Sequence, residues 1–196
     1  MKRALLAIVL LASVSCGDMV RQGTASSYLI ITELQGASGA KPEDFGGDFG
    51  SDVVTLDKDT GQATIFSDLG RVSFALAMKD AGPAGSPTSP TSNNFITVDR
   101  YRVRYIRADG RNVPGVDVPH PFDGAFTVTV SDSASADFTI VRWQAKAEAP
   151  LAALEFDLRV ISTIAEITFF GRDQTGREVS VTGNIGIHFA NHGDPD

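Results

Sequence analysis

The chain predicts an all-β domain, an antiparallel β-sandwich of about nine strands. Three observations carry this. Short apolar runs with period-two alternation recur along the chain, turn signals separate them at short intervals, and no amphipathic helix of three turns can be drawn. Without such helices there is nothing to cross over a parallel sheet, so antiparallel pairing is expected. A content of 42% apolar residues is that of a globular protein.

Tyr28–Leu34 is the first strand, nearly continuous in apolar residues at its start and therefore expected to be well buried. Gln35–Ser51, rich in Gly, Ala and Asp, breaks regular structure. Asp52–Leu56 and Gln62–Ser67 flank Asp57-Lys58-Asp59-Thr60-Gly61, a hairpin turn. In Gly70–Lys79, Val72, Phe74, Leu76 and Met78 alternate inward with Arg71, Ser73, Ala75 and Ala77. Asp80–Asn94 is Pro/Gly/Ser/Thr-rich, a long loop within one domain rather than a linker. Phe95–Ala108 is a long strand ending at Asp109-Gly110, a strong turn signal. Pro114, Pro119 and Pro121 keep Asn112–Gly124 out of any central strand. Ala125–Ser131 and Ala136–Lys146, the latter with the single Trp143, read as strands, and Ala149–Leu154 as the best helical turn. Glu155–Ile161 is available to pair again. Ala165–Gly171 and Arg177–Phe189 form a last hairpin, whose Gly183 and Gly186 suggest a bulge or bend.

The N-terminus speaks to location. Lys2 and Arg3 precede the apolar Ala4–Leu11, then Ser13-Val14-Ser15 and Cys16, the one cysteine in the chain. That order is a secretion-and-cleavage signal. The box Ser13-Val14-Ser15-Cys16 resembles the lipobox of bacterial lipoproteins, although Ser13 stands where Leu is usual. The resemblance implies cleavage of residues 1–15 and lipidation at Cys16. Residues 16–27 then form a lipidated tether, 28–190 a single domain and 191–196 a tail. Gly17 in place of the Asp of inner-membrane lipoproteins implies the outer membrane. Two lipid signals give stable attachment where one chain is marginal. With one cysteine committed to lipid, no disulfide remains, and the domain must stand on its core.

The stretch from Glu166 to Gly183 resembles the final hairpin of bacterial immunoglobulin-like or fibronectin-type sandwiches. The whole chain resembles bacterial envelope lipoproteins of this kind. The resemblance supplies no catalytic or binding residue.

Loss of Lys2 and Arg3 with the signal takes the formal charge from −7 to −9 (15 cations against 24 anions). Such a domain is a poor partner for nucleic acid. Arg100, Arg102 and Arg104 alternate with Tyr101, Val103 and Tyr105. At period two this puts arginines on one face and aromatics on the other. Tyr101, Arg102, Arg104 and Tyr105 are thus candidates for partner or glycan binding, against the simpler reading of core tyrosines and solvated, carboxylate-paired arginines. Acidic residues cluster from Glu43 to Asp59, where calcium would find oxygens on irregular backbone. Asp44, Asp48 and Asp52 are the first candidates. Asp57-x-Asp59 begins like an EF-type loop, with Asp68 at its twelfth position, but Gln62 stands at the sixth and strands flank it. His188 and His192 are four apart, with Asp194 beyond, and His120 lies between prolines. None of these contexts is helical, so no zinc site is expected. There is no Gly-x-Ser-x-Gly elbow and no His-Glu-x-x-His. The expectation is a non-catalytic envelope module without a cofactor. It would be membrane-held by lipid and bind a protein partner, with a carbohydrate-binding or calcium-dependent adhesion module as the alternative.

Overall fold

The computed structural model describes residues 23–192. The expectations for the signal, for Cys16 and for Asp194 lie outside the described residues.

The described chain is all-β with mixed pairing. Its strands are β1 (Ser27–Ala37), β2 (Asp48–Asp52), β3 (Thr55–Leu56), β4 (Ala63–Thr64) and β5 (Asp68–Met78). They continue with β6 (Ile96–Ile106), β7 (Phe122–Val130), β8 (Ser133–Val141), β9 (Ile161–Asp173) and β10 (Glu178–Ala190). A single-turn helix α1 (Trp143–Lys146) and a 3-10 turn (Leu151–Phe156) lie between β8 and β9. A three-stranded sheet has the order β1-β5-β8, and a five-stranded sheet the order β2-β10-β9-β6-β7. The pair β3-β4 stands apart as the short hairpin around Gly61, whose φ is +65°.

The two sheets share one core. Val72 and Phe74 of the small sheet and Val103, Ile167 and Phe169 of the large one are at most 1% exposed. Phe74 meets Phe169 edge-on at 5.1 Å, an arrangement aromatic quadrupoles favour. Tyr101 and Tyr105 point inward from β6 and donate hydrogen bonds to the carbonyls of Thr139 (3.0 Å) and Ile140 (2.8 Å) on β8. A buried phenol needs a partner, and these two find theirs on the opposite sheet.

Several expectations are corrected. Tyr28 and Ile30 are 55% and 43% exposed, because β1 is an edge strand with its outer face open. Gln35–Ser51 is not wholly irregular. Gly36 and Ala37 extend β1, and Asp48–Asp52 forms β2, which pairs parallel to β10. This parallel pair needs no crossover helix, because most of the domain separates the two strands in sequence. Asp109-Gly110 does turn the chain, with Gly110 at φ +81°, but the return strand β7 begins only at Phe122. Trp143–Lys146 is helical rather than strand, and residues 157–160 join no strand. Gly183 and Gly186 cause no bulge, since β10 runs against β9 in unbroken register. At Gly183 a Cβ would stand 2.9 Å from the Ile31 side chain, so the glycine lets β1 pack close to β10.

Candidate functional site

The basic strand is spent on structure. Arg102 makes a two-pronged ion pair with Asp123 on β7 (2.8 and 2.9 Å), and Arg104 pairs with Glu166 on β9 at 2.8 Å. Both couples are register neighbours on the outer face of the large sheet. Arg100 lies over the Phe170 ring at 4.4 Å. Tyr101 and Tyr105, at 4% and 2% exposed, present no aromatic row to a sugar.

The acidic candidates do not converge. Asp44 and Asp48 are exposed, while Asp52 is buried and accepts hydrogen bonds from the His192 amide (3.1 Å) and the Thr55 hydroxyl (3.2 Å). Asp57 closes its own turn by accepting from the amides of Thr60 and Asp59 and from the Thr60 hydroxyl. The Thr60 amide bond leads the effects that hold its carboxyl below the usual range. Among the described residues no three His, Cys, Asp or Glu side chains are placed to hold a metal ion.

His188 is flanked by Ser162 (Oγ to Nδ1, 2.9 Å) and Asp48 (Nε2 to Oδ2, 3.6 Å). The trio follows from register, since Ser162 faces His188 across β9-β10 and Asp48 lies beside Gly186. It sits open to water, with His188 44% and Asp48 75% exposed. In that setting an ion pair is weak and a developing charge finds no low-dielectric wall. The His192 ring donates through Nε2 to the His188 carbonyl at 3.1 Å, and it covers Gly50.

Two features escaped sequence reasoning. The first is the loop-rich end of the molecule where β9 begins. The segments 107–121 and 150–160 meet there around a cleft of about 430 Å³, lined by Arg107, Arg111, Val116, Leu154, Arg159 and Val160, among others. Asp109 accepts from both Arg107 and Arg111 at 2.7 Å, and these bonds hold its carboxyl well below the usual range. Arg159 pairs with Asp157 at 2.6 Å. Beside these charges the chain displays its apolar residues. Phe156 is 89% exposed, Leu158 fully exposed, Val116 67% and Val160 54%. Residues 156, 158 and 160 fall on alternate positions of the stretch leading into β9. The sequence did carry a sign: Phe-Asp-Leu-Arg-Val alternates like a strand, but among the described residues no strand pairs with it, and its apolar side chains stay displayed.

The second is a charge pair in the interior. Lys146, the last residue of α1, and Asp68, the first of β5, both have side chains with no solvent exposure, and Nζ lies 2.6 Å from Oδ1. Nζ also donates to the Asp52 carbonyl at 2.7 Å. Ser51 donates to Asp68 Oδ2 at 2.5 Å, and the Gly39 amide to Oδ1 at 2.9 Å. Burial pushes the Asp68 carboxyl up, against the opposing pull of Lys146.

A second hollow, about 830 Å³, lies at the other end of β9 and is lined by Gly23, Tyr28, Lys79, Arg100, Phe170 and Glu178, among others. Lys79 donates to the Gly23 carbonyl at 2.6 Å and stands 5.1 Å from the Tyr28 ring, so the hollow is closed partly by the segment entering from the N-terminus.

Comparison with known proteins places no family on the chain. No family model matches it, and no curated protein does. Among solved structures, an X-ray structure of a Northeast Structural Genomics Consortium target aligns over 87% of this chain and 94% of its own, at 9% identity and a TM-score of 0.32. A likeness that weak leaves the fold to rest on the chain's own pairing and packing.

Proposed function

We propose that the protein is a lipid-anchored, immunoglobulin-like β-sandwich module of the bacterial cell envelope, held at the outer membrane through Cys16, that docks a protein partner without catalysing a reaction. The observation that supports this reading is the display of Phe156 and Leu158, 89% and 100% exposed, at one end of the molecule. Isolated exposed apolar residues are ordinary, but an apolar run beside arginine-lined relief is the composition of an interface core and rim.

The anchor gives the display a direction. The described chain enters at Gly23, beside Arg172 and Glu178, while the docking cleft touches Ile161. Those places are the two ends of the 13-residue strand β9, about 40 Å apart at roughly 3.3 Å per residue. A bilayer at the N-terminal end therefore leaves the Phe156–Val160 display facing away from it. The occupant is a protein with an apolar patch rather than the anchoring membrane.

In-cell photocrosslinking of the full-length chain tests this, with a photoreactive phenylalanine analogue in place of Leu158 and mass spectrometry of what is captured. One dominant protein is expected, lost in Phe156→Asp and in Cys16→Ser. Capture of no protein above background sinks the reading.

A further inference from the structure

The Lys146–Asp68 pair is an unusual object for a chain of this size. Taking two opposite charges wholly out of water costs several kcal/mol per ion, and their attraction repays that only where every remaining hydrogen-bonding group is satisfied. An ammonium has three hydrogens to donate. Among the described residues Lys146 Nζ has two acceptors, the Asp52 carbonyl and Asp68 Oδ1. As an ion pair the site gives the three hydrogens of the ammonium two protein acceptors.

A secondary amide would have the right number. Its single N–H would donate to the Asp52 carbonyl, where Nζ already donates. Its carbonyl oxygen has two lone pairs, enough to accept from both the Ser51 hydroxyl and the Gly39 amide, the two donors now on the Asp68 carboxyl. It would also carry no charge, which removes the cost of burying two ions.

We propose that Lys146 and Asp68 condense into an intramolecular isopeptide bond. The proton of the ammonium first passes to the carboxylate within the pair, leaving an amine and a carboxylic acid. Burial raises the Asp68 carboxyl and so favours its protonated form. Nζ then attacks Cγ of Asp68 and the C–N bond forms. The carboxyl hydroxyl leaves with a second proton from Nζ as water. One amine and one carboxylic acid give one amide and one water, and no oxidant, metal or cofactor takes part. Ser51 and Gly39 supply hydrogen bonds to the carboxyl oxygens, where negative charge develops as the tetrahedral centre forms.

The bond would join the start of β5 to the end of α1, 78 positions apart in sequence and next to the segment that carries Phe156 and Leu158. In a chain whose one cysteine lies at position 16, it would supply the covalent closure that a disulfide cannot.

Tryptic digestion and mass spectrometry of the full-length protein decide the matter. Trypsin cuts after Arg and Lys, so Asp68 falls in the peptide 59–71 and Lys146 ends the peptide 143–146. With the isopeptide bond, cleavage after Lys146 is lost. Peptide 59–71 is then recovered joined to 143–159, one water lighter than the two together. The joined peptide is absent from Lys146→Met and Asp68→Ala. Cyclisation at Asp109-Gly110 or Asp123-Gly124 also removes one water, but it leaves Lys146 cleavable and joins no peptides. Recovery of free 59–71 and free 143–146 from folded wild-type protein overturns the proposal, and this holds whether or not the two variants fold.

Discussion

Lys146 and Asp68 show what one residue costs when it leaves water. Removing one partner strands the other group in the interior, so Lys146→Ala is expected to lose about 3–5 kcal/mol of stability. Replacing both groups, as in Lys146→Met with Asp68→Leu, should lose less than Lys146→Ala, and urea denaturation of the three chains checks the order. Asp173 makes the complementary case. Burial works to raise its carboxyl, but the Thr175 hydroxyl and the amides of Arg177 and Thr175 outweigh it, and the net direction is down. A carboxyl held lower in the folded than in the unfolded chain adds stability above its unfolded value of about 3.9, and loses it as pH falls through the folded value. Asp173→Asn should therefore be less stable than wild type near neutrality, with the gap closing as the solution is acidified below about pH 4. Thermal melts of both proteins across that range test the sign. A gap that widens in acid refutes it.

Strands in this protein approach one another where glycine allows it. Gly124 faces Tyr101 across β6-β7, Gly70 faces Phe138 across β5-β8, and in both places an added Cβ would fall within 2.5 Å of the ring. An aromatic lying over a cross-strand glycine covers backbone that would otherwise lack packing. Gly171 is tighter in kind, since its Cβ would stand 2.5 Å from the Thr97 carbonyl, which cannot rotate away. Gly171→Ala is expected to cost about 1–3 kcal/mol through a shift of β9 against β6. Loss of exchange protection at the amides of Thr97 and Val98 would locate that shift. An unchanged midpoint would show that the strands part freely. The Tyr101 hydroxyl acts between sheets rather than within one, so Tyr101→Phe should lose about 1 kcal/mol by leaving the Thr139 carbonyl one donor short.

At the scale of the whole molecule, the ends of β9 divide the labour. One end carries the hollow lined by Gly23, and the other presents Phe156, Leu158 and the arginine-lined cleft. Leu158→Asp touches no core contact, since the side chain is fully exposed. Its effect on stability should stay within about 0.5 kcal/mol, while capture of the proposed partner falls to background. Thermal melts and crosslinking on the same variant separate the two readouts. A large drop in melting temperature would place Leu158 in the fold instead of at an interface.

Local pattern was legible where a strand's own faces decide its place. Val72, Phe74 and Leu76 alternate into the core as their spacing requires, and the hairpin turn at Gly176 forms with φ +83°. Period two and positive φ are properties of a few adjacent residues. Pairing is not, and so the sequence could not say that β2 lies parallel to β10, or that β1 stands at an edge with Tyr28 and Ile30 facing outward. The same holds for the sites. Arg102 and Arg104 alternate as a basic face, but only Asp123 and Glu166, brought alongside by register, neutralise it. Asp68 and Lys146 lie in unremarkable stretches, and nothing local marks either as buried. The sequence by itself determined the all-β character, the turns and the inward alternation, because these follow from backbone geometry and hydrophobic period within a single strand. The tertiary structure alone decided which strands are edges, which charges meet in the interior and which apolar residues stay in water, because burial and charge pairing are sums over neighbours that the chain brings together only when the sheets close.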